Sequence, residues 1–251
     1  MAQHSFPEGV ITLAIDIGGS GVKAALLDHE GAFLSERVRI DTPYPCPPSR
    51  LIETLAEIST HLPGFHRVAV GFPGLVRDGH VSFIASLSRA SLEGETDPEL
   101  VALWRGYPLR DVLIDLFKAP VRVENDADVQ GSAVIRGQGM EFVLTLGTGV
   151  GTALFFNGIL LPHLEIGHAP FRKGNTFEEQ LGNVARKSVG RERWIQRVHL
   201  AIPAFDRFLF FDHMFIGGGN GRLLVDEVLP ENVTLVSNKA GILGGIKIWN
   251  S

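Results

Sequence analysis

The chain has 251 residues, of which 45% are hydrophobic and 20% charged, and its formal net charge at pH 7 is −5. This balance is typical of a globular protein and excludes a disordered chain. The net negative charge argues against a nucleic-acid partner, because phosphate contacts there need clustered Lys and Arg.

The sequence also argues against a membrane partner, since no apolar run approaches the roughly 18 residues that span a bilayer. Residues 1–9 lack the basic start and the apolar core of a signal peptide. The single Cys46 can form neither an internal disulfide nor a cysteine-based zinc site. We therefore expect a cytoplasmic protein.

The first predicted elements are two apolar strands, over 10–15 and 22–27, which flank Asp16 and a glycine turn at 17–21. A third strand with alternating polarity is predicted over 32–40. The elements predicted next are a helix at 50–61, strands at 68–70 and 81–84, helices at 98–104 and 108–117, a strand at 120–123 and a helix at 129–135.

Polar side chains follow the strand predicted at 120–123, where Asn125, Asp126 and Asp128 precede a helix. A carboxylate at the end of a strand is accessible and held in place, which favours a functional role. Acidic side chains at a helix start are also favoured by the helix dipole. Helix capping is therefore the alternative interpretation of Asp126 and Asp128.

A second glycine turn lies at 147–151, between an apolar run at 142–146 and another that leads to Asn157 and Gly158. Asn-Gly is a strong signal for a two-residue hairpin turn. The glycines join two strands, whereas a dinucleotide-binding motif or a P-loop opens a helix. Backbone N–H groups and the Thr148 hydroxyl could still cradle a phosphate.

The same arrangement of strand, glycine turn and strand thus occurs twice, at 11–27 and 142–156. Its repetition favours two phosphate-binding loops over the alternative that the glycines merely permit tight hairpins. The remaining chain predicts helices at 176–186 and 193–201, a strand at 210–216, a third glycine turn at 217–220 opening a helix toward 228, a strand at 233–236 and a helix at 240–248.

Two further features lie after the second turn. Glu165 and His168 are three residues apart around a glycine. This spacing favours a pair of side chains positioned for a function, and a polar surface turn is the alternative. Thr176 and Glu179 have the spacing of a capping box.

Seven motifs follow one another in a fixed order along the chain: residues 16–23 (DIGGSGVK), 72–74 (FPG), 124–127 (ENDA), 146–151 (LGTGVG), 165–168 (EIGH), 216–219 (IGGG) and 240–244 (AGILG). This ordered set resembles the ROK sugar kinases of the actin/hexokinase/Hsp70 ATPase superfamily. Within that family the stretch at 144–154 with Glu165–His168 is most similar to polyphosphate glucokinases.

The resemblance implies an α/β fold of two ribonuclease-H-like domains around a central cleft. We expect the first domain at 1–118, joined by a terminal helix at 237–251, and the second at 119–236. Residues 169–190 contain no Cys, so the family's zinc site is expected to be absent, as in polyphosphate glucokinases. The segment 86–104, where the family contacts the sugar, does not align.

The resemblance also implies roles. Asp126 matches the catalytic base, Asp16 would position Mg²⁺ directly or through water, and Lys23 supplies charge or is a solvated side chain. Sugar binding is implied for Asn125, Glu165, His168 and Glu178. Phosphate binding is implied for Gly18, Gly19, Ser20, Lys23, Gly147, Thr148, Gly149, Gly218 and Gly219.

The implied activity is that of a homodimeric glucokinase that uses polyphosphate, ATP or both. Mannose, fructose or an N-acetylhexosamine as the acceptor is an alternative that the sequence leaves open. A non-catalytic, sugar-binding regulator is a second alternative. It is disfavoured because the first strand begins near Val10, without a preceding DNA-binding helix-turn-helix, and because Asp16 and Asp126 are both present.

Overall fold

The computed structural model describes residues 9–84, 86–237 and 240–250. The chain divides into two compact units, Met1–Ala133 with Gly241–Ser251, and Val134–Ala240. Among the described residues, no helix combines the length and apolarity needed to cross a membrane.

The first unit is built on a five-stranded mixed sheet. Its elements in chain order are β1 (Thr12–Gly18), β2 (Gly21–Leu27), β3 (Val38–Ile40), α1 (Pro48–Thr60), β4 (Arg67–Phe72), β5 (Leu75–Arg77), β6 (His80–Phe83), α2 (Pro98–Trp104), α3 (Leu109–Phe117), β7 (Val121–Asn125) and α4 (Asp126–Ser132). The strand order is β3-β2-β1-β4-β7, with β5 and β6 forming a separate hairpin. β2 runs antiparallel to its neighbours, whereas β4 is parallel to both β1 and β7.

Apolar residues explain how this sheet is covered. All six residues of β4 are buried, as expected for a central strand covered on both faces. Leu51, Leu55 and Ile58 form the buried face of α1. The Trp104 indole packs against Phe72 at 5.6 Å between ring centroids, and its Nε1 donates to the Cys46 carbonyl.

The second unit repeats this plan. Its elements are β8 (Met140–Leu146), β9 (Val150–Phe156), β10 (Ile159–Leu160), a 3-10 helix (Ile166–His168), β11 (Pro170–Arg172), β12 (Asn175–Thr176), α5 (Phe177–Leu181), α6 (Asn183–Val189), α7 (Arg191–Leu209), β13 (His213–Gly217), a second 3-10 helix (Gly221–Leu224) and β14 (Val233–Leu235). Its main sheet has the order β10-β9-β8-β13-β14. The predicted α/β class with ribonuclease-H-like units is confirmed by this shared order and strand direction.

The terminal helix α8 (Ala240–Lys247) is grouped with the first unit from Gly241 onward. A Cβ added at Gly244 would overlap the Val129 carbonyl of α4, and one at Gly245 would lie 3.0 Å from the Ala14 Cβ. The two glycines therefore allow the helix to lie directly on α4 and on the sheet.

The division into units differs from the prediction that placed it after residue 118. Strand β7 pairs with β4 along its whole length, from Val68↔Val121 to Phe72↔Asn125. Helix α4 also packs on β4. Both elements therefore belong to the first unit, which ends at Ala133.

Several predicted elements have different bounds. The strand expected over 32–40 is reduced to Val38–Ile40, because the Ser35 hydroxyl takes the place of a ladder acceptor for the Leu26 N–H. The helix expected at 129–135 begins at Asp126, where the Asn125 side chain caps it. After the third glycine turn only a 3-10 turn forms.

Two predictions for the helical part of the second unit were also wrong in detail. The helix expected at 176–186 is interrupted at Gly182, whose ψ of 168° is extended. The helix expected to end at 201 continues through Pro203 to Leu209, since Ile202 and Phe205 extend its buried face. The capping box of Thr176 and Glu179 is confirmed, as is the hairpin turn at Asn157 and Gly158, both of which have positive φ.

Candidate active site

The first glycine turn connects β1 to β2 at the edge of the sheet where the parallel strands end. Gly18 pairs with Gly21 across the hairpin, and Asp16 pairs with Lys23. The Lys23 Nζ lies 3.3 Å from Asp16 Oδ2, and the Asp16 side chain is 20% exposed. Lys23, which the sequence left as either a phosphate ligand or a solvated side chain, is thus an ion-pair partner of Asp16.

Asn125 and Asp126 lie at the same edge of the sheet. Asp16 is in register with Gly71, and Gly71 with Glu124, so the ends of β1 and β7 are two strand spacings apart, or about 10 Å. Gly71 lies directly against Asp126, since a Cβ added at Gly71 would be 3.6 Å from the Asp126 Cα. Asp16 and Asp126 are therefore brought to one edge by the topology of the first unit.

Both polar groups of the Asn125 side chain form hydrogen bonds to the protein backbone. It is 7% exposed, its Oδ1 accepts from the Ala127 N–H at 2.8 Å, and its Nδ2 donates to the Gly74 carbonyl at 3.1 Å. Asn125 is thus the N-cap of α4 and fixes the glycine of the FPG motif. Asp126 is half-buried, and its Oδ1 accepts from the same Ala127 N–H at 2.9 Å.

In the second unit the turn at Gly147, Thr148 and Gly149 joins β8 to β9 and is held by three other segments. The Asn220 Nδ2 donates to the Gly147 carbonyl at 3.0 Å, and the Asn183 N–H of α6 donates to the Thr148 carbonyl at 3.1 Å. The Val150 N–H, just after the turn, donates to Glu178 Oε2 at 3.2 Å. Thr148 remains exposed.

The third glycine turn is packed against this second one. Gly218 has a φ of +84°, and a Cβ there would overlap the backbone of Leu146. The following Asn220 is a residue that the sequence reasoning missed as part of the site, although a polar residue directly after three glycines was a signal. Gly218 and Gly219 thus lie beside the predicted phosphate turn.

Glu165 precedes a 3-10 turn that ends with His168 and lies on the start of β9. A Cβ at Gly167 would lie 2.6 Å from the Val150 carbonyl, so only glycine allows this approach. The His163 Nε2 lies 3.5 Å from Glu165 Oε1, with the two side chains 5% and 29% exposed. The hydrogen bond from His163 lowers the pKa of the Glu165 carboxyl, although burial acts in the opposite sense. His168 is exposed.

A cleft of about 420 Å³ opens beside the second turn, entirely within the second unit. Thr148, Glu178, Gly182, Ser188 and Arg197 are among the residues that line it. Glu178, assigned to the sugar by the resemblance, therefore both lines this cleft and accepts the hydrogen bond from Val150.

The residues present fit a Mg²⁺ ion held mainly by substrate and water. Among the described residues, no group of three or more His, Cys, Asp or Glu side chains is arranged to hold a metal. Mg²⁺ is usually bound through one or two carboxylates, waters and substrate phosphates. Asp16, partly exposed and adjacent to the first glycine turn, provides one such carboxylate.

Comparisons with known proteins agree with the motifs. A model of the ROK family matches residues 12–183. A polyphosphate glucokinase of Mycobacterium tuberculosis is 30% identical over 246 residues, which cover 92% of this chain and 88% of that enzyme. An N-acetylmannosamine kinase of Escherichia coli O6:H1 is 29% identical over 157 residues, which cover 61% of this chain and 50% of that enzyme.

A solved structure shares both the fold and part of the sequence. The inorganic polyphosphate/ATP-glucomannokinase from Arthrobacter sp. strain KM superposes with a TM-score of 0.81 at 27% identity, covering 97% of this chain and all of the other.

Proposed function

The chain belongs to the ROK family, and from this we propose that it is a sugar kinase that transfers a phosphoryl group from polyphosphate, ATP or both to the 6-hydroxyl of glucose. The observation that carries the proposal is the position of Asp126, at the sheet edge where Asp16 and the first glycine turn also lie. Phosphoryl transfer needs a base beside the acceptor and donors beside the phosphates.

Asp126 is proposed as the general base. Its carboxylate would accept the proton of the sugar hydroxyl as the hydroxyl oxygen attacks the terminal phosphorus of the donor. The bond from that phosphorus to its bridging oxygen would break in the same step, and ADP or polyphosphate shortened by one phosphate would leave with the electron pair. The Ala127 N–H holds one of its oxygens at 2.9 Å, which fixes the orientation of the carboxylate. A half-buried carboxylate in this position remains reachable by substrate.

The glycine turns are proposed to bind the donor. In the second turn the carbonyls of Gly147 and Thr148 accept hydrogen bonds from Asn220 and Asn183. The Gly147 N–H already donates to the Gly149 carbonyl at 3.0 Å. The N–H groups of Thr148 and Gly149 and the Thr148 hydroxyl are then the groups that would donate to phosphate oxygens. Mg²⁺, when bound beside Asp16, would neutralise charge on the transferring phosphate.

Glu165, His168 and Glu178 are proposed to bind the sugar, together with Asn125. A carboxylate accepts hydrogen bonds from sugar hydroxyls only as long as it stays ionised. The low pKa of Glu165 supports that role. Asn125 can contribute its second Nδ2 hydrogen, since its other groups bind Ala127 and Gly74.

The names of the relatives differ in the phosphoryl donor and in the sugar acceptor. The two named for polyphosphate support that donor, and one of them also names ATP. Glucose is favoured as the acceptor by the matched polyphosphate glucokinase, while the glucomannokinase and the N-acetylmannosamine kinase keep mannose and an N-acetylhexosamine as alternatives. Homodimer formation and a cytoplasmic location stay predictions.

The test is a matrix of donors against sugars with the purified protein. Polyphosphate and ATP would each be combined with glucose, mannose, fructose, N-acetylglucosamine and N-acetylmannosamine, with sugar phosphate measured directly. We expect glucose 6-phosphate as the main product with at least one donor. No product with any pair would contradict the kinase proposal, whereas a different preferred hexose would correct only the acceptor.

A further inference from the structure

The first glycine turn is held from one side by a single short segment, residues 39–44. The Thr42 hydroxyl donates to the Gly18 carbonyl at 2.6 Å, and the Tyr44 hydroxyl donates to the Gly19 carbonyl at 2.8 Å. Arg39 donates to the Ser20 carbonyl at 3.0 Å. Three successive carbonyls of the turn therefore each accept a side-chain hydrogen bond.

These bonds also orient the N–H groups of the turn. In a trans peptide the carbonyl and the N–H of one plane point in opposite directions. Fixing the Gly18 carbonyl thus directs the Gly19 N–H away from residues 39–44, and fixing the Gly19 carbonyl does the same for the Ser20 N–H. Two adjacent N–H groups on one side of a turn form a recess that suits an anion.

Thr42 and Tyr44 are built into the protein more firmly than Arg39. Thr42 is 8% exposed and Tyr44 is half-buried. The Arg39 side chain is 53% exposed and also forms an ion pair with Asp41, with 2.9 Å between its Nη2 and Asp41 Oδ1. Burial raises the pKa of the Tyr44 hydroxyl, so the phenol keeps its proton and stays a donor at neutral pH.

Tyr44 also reaches the segment that follows β6. Its hydroxyl lies 3.3 Å from the Ser86 carbonyl, and the Ser86 Cβ lies beside Gly19, 3.8 Å from an added Cβ there. Residue 86 begins the stretch that the resemblance associates with the sugar. The Tyr44 hydroxyl therefore contacts both the donor turn and the start of that stretch.

We propose that Thr42 and Tyr44 are positioning residues for the phosphoryl donor, which orient the Gly19 and Ser20 N–H groups toward a phosphate of polyphosphate or ATP. This inference rests on the proposed function, because it assigns the first turn to the donor. Neither side chain takes part in the chemical step. Their loss is expected to weaken donor binding and leave the sugar affinity nearly unchanged.

The test compares single-group deletions with matched controls. The chain contains two tyrosines, so Tyr44→Phe has a direct control in Tyr107→Phe, where the ring packs against Trp104. Thr42→Val removes the other hydroxyl, and Thr42→Ser restores it. We expect Tyr44→Phe and Thr42→Val each to raise the donor KM about three- to tenfold, the range for one lost hydrogen bond, with the sugar KM within twofold.

The controls give the opposite expectation. Tyr107→Phe and Thr42→Ser should keep the donor KM within twofold of the natural chain. An unchanged donor KM in Tyr44→Phe and Thr42→Val, or equal increases in donor and sugar KM, would overturn the proposal.

A binding measurement separates this inference from the kinase proposal. Calorimetric titration with inorganic tripolyphosphate needs no turnover. If the natural chain binds tripolyphosphate and Tyr44→Phe binds it several-fold more weakly, the positioning role stands even when no sugar is phosphorylated. ATP is titrated in the same way. Equal affinity in the two proteins, or a natural chain that binds neither tripolyphosphate nor ATP, would contradict it.

Discussion

Glu165 is a partly buried carboxylate whose charge depends most on one neighbour, His163. The pKa of Glu165 is lowered in the folded protein, so its ionised form contributes stability above the unfolded pKa. That contribution is lost as the pH falls through the folded pKa. The same shift keeps the carboxylate ready to accept a sugar hydroxyl at mildly acidic pH.

Replacing His163 is expected to shift the pH dependence of sugar binding. His163→Leu removes the hydrogen bond and leaves the burial of Glu165, so the pKa of Glu165 should rise. The acid limb of kcat/KM for the sugar should then move to higher pH, because the Glu165 carboxyl loses the hydrogen bond that favours its ionised form.

His163→Gln provides the control, because its amide can still donate to Glu165. We expect its acid limb to stay near that of the natural chain. An acid limb that does not move in His163→Leu would show that Glu165 does not control the pH dependence of sugar binding.

At the scale of elements, the third glycine turn supports the second. Asn220 bonds to the Leu146 and Gly147 carbonyls, and Gly218 lies against the Leu146 backbone without room for a side chain. The end of β13 thereby fixes the end of β8 and the turn that follows. The position of Thr148 is thus set by the second sheet and by α6.

This packing predicts a large cost for Gly218→Ala. Gly174 in the same unit has a similar φ of +76°, but nothing lies within 4 Å of an added Cβ. Gly174→Ala should therefore lose only about 1 kcal/mol from the left-handed backbone. Gly218→Ala should lose at least about 2 kcal/mol more, because the Leu146 backbone has to move as well.

Denaturant unfolding of the two variants measures the difference. Equal losses of unfolding free energy in Gly174→Ala and Gly218→Ala would mean that the third glycine turn is not tightly packed against the second. The donor KM is expected to rise in any folded fraction of Gly218→Ala and to stay unchanged in Gly174→Ala.

At the scale of the whole molecule, short-range patterns predicted much of the fold. The Asn157-Gly158 turn and the capping box at Thr176 could be predicted because each depends on residues at most three positions apart. The bond from Asn220 to Gly147 joins residues 73 positions apart, and the bond from Tyr44 to Gly19 joins residues 25 apart. No local pattern encodes such contacts.

Element bounds were wrong where long-range packing outweighed a local signal. Helix α7 continues through Pro203 because Ile202 and Phe205 are buried beyond the predicted end. Strand β7 was assigned to the wrong unit because its pairing with β4 has no sequence signature. The ordered family motifs located the candidate residues, and the topology then placed Asp16 and Asp126 at one edge of one sheet.

Asp126 is the proposed general base, and Asp126→Asn removes the carboxylate that would accept the proton. The matched control is Asp128→Asn in the same helix turn, where the residue is 1% exposed and follows the N-cap Asn125 in the first turn of α4. Both substitutions keep the side-chain size and remove one charge. The measurements are kcat with the preferred donor and the dissociation constant for the sugar by calorimetry.

Asp126→Asn is expected to lower kcat at least 100-fold, the usual contribution of a general base, with the sugar dissociation constant changed less than about threefold. Asp128→Asn should lose stability and keep the kcat of the folded enzyme within about threefold. Turnover near the natural level in Asp126→Asn would contradict the assignment.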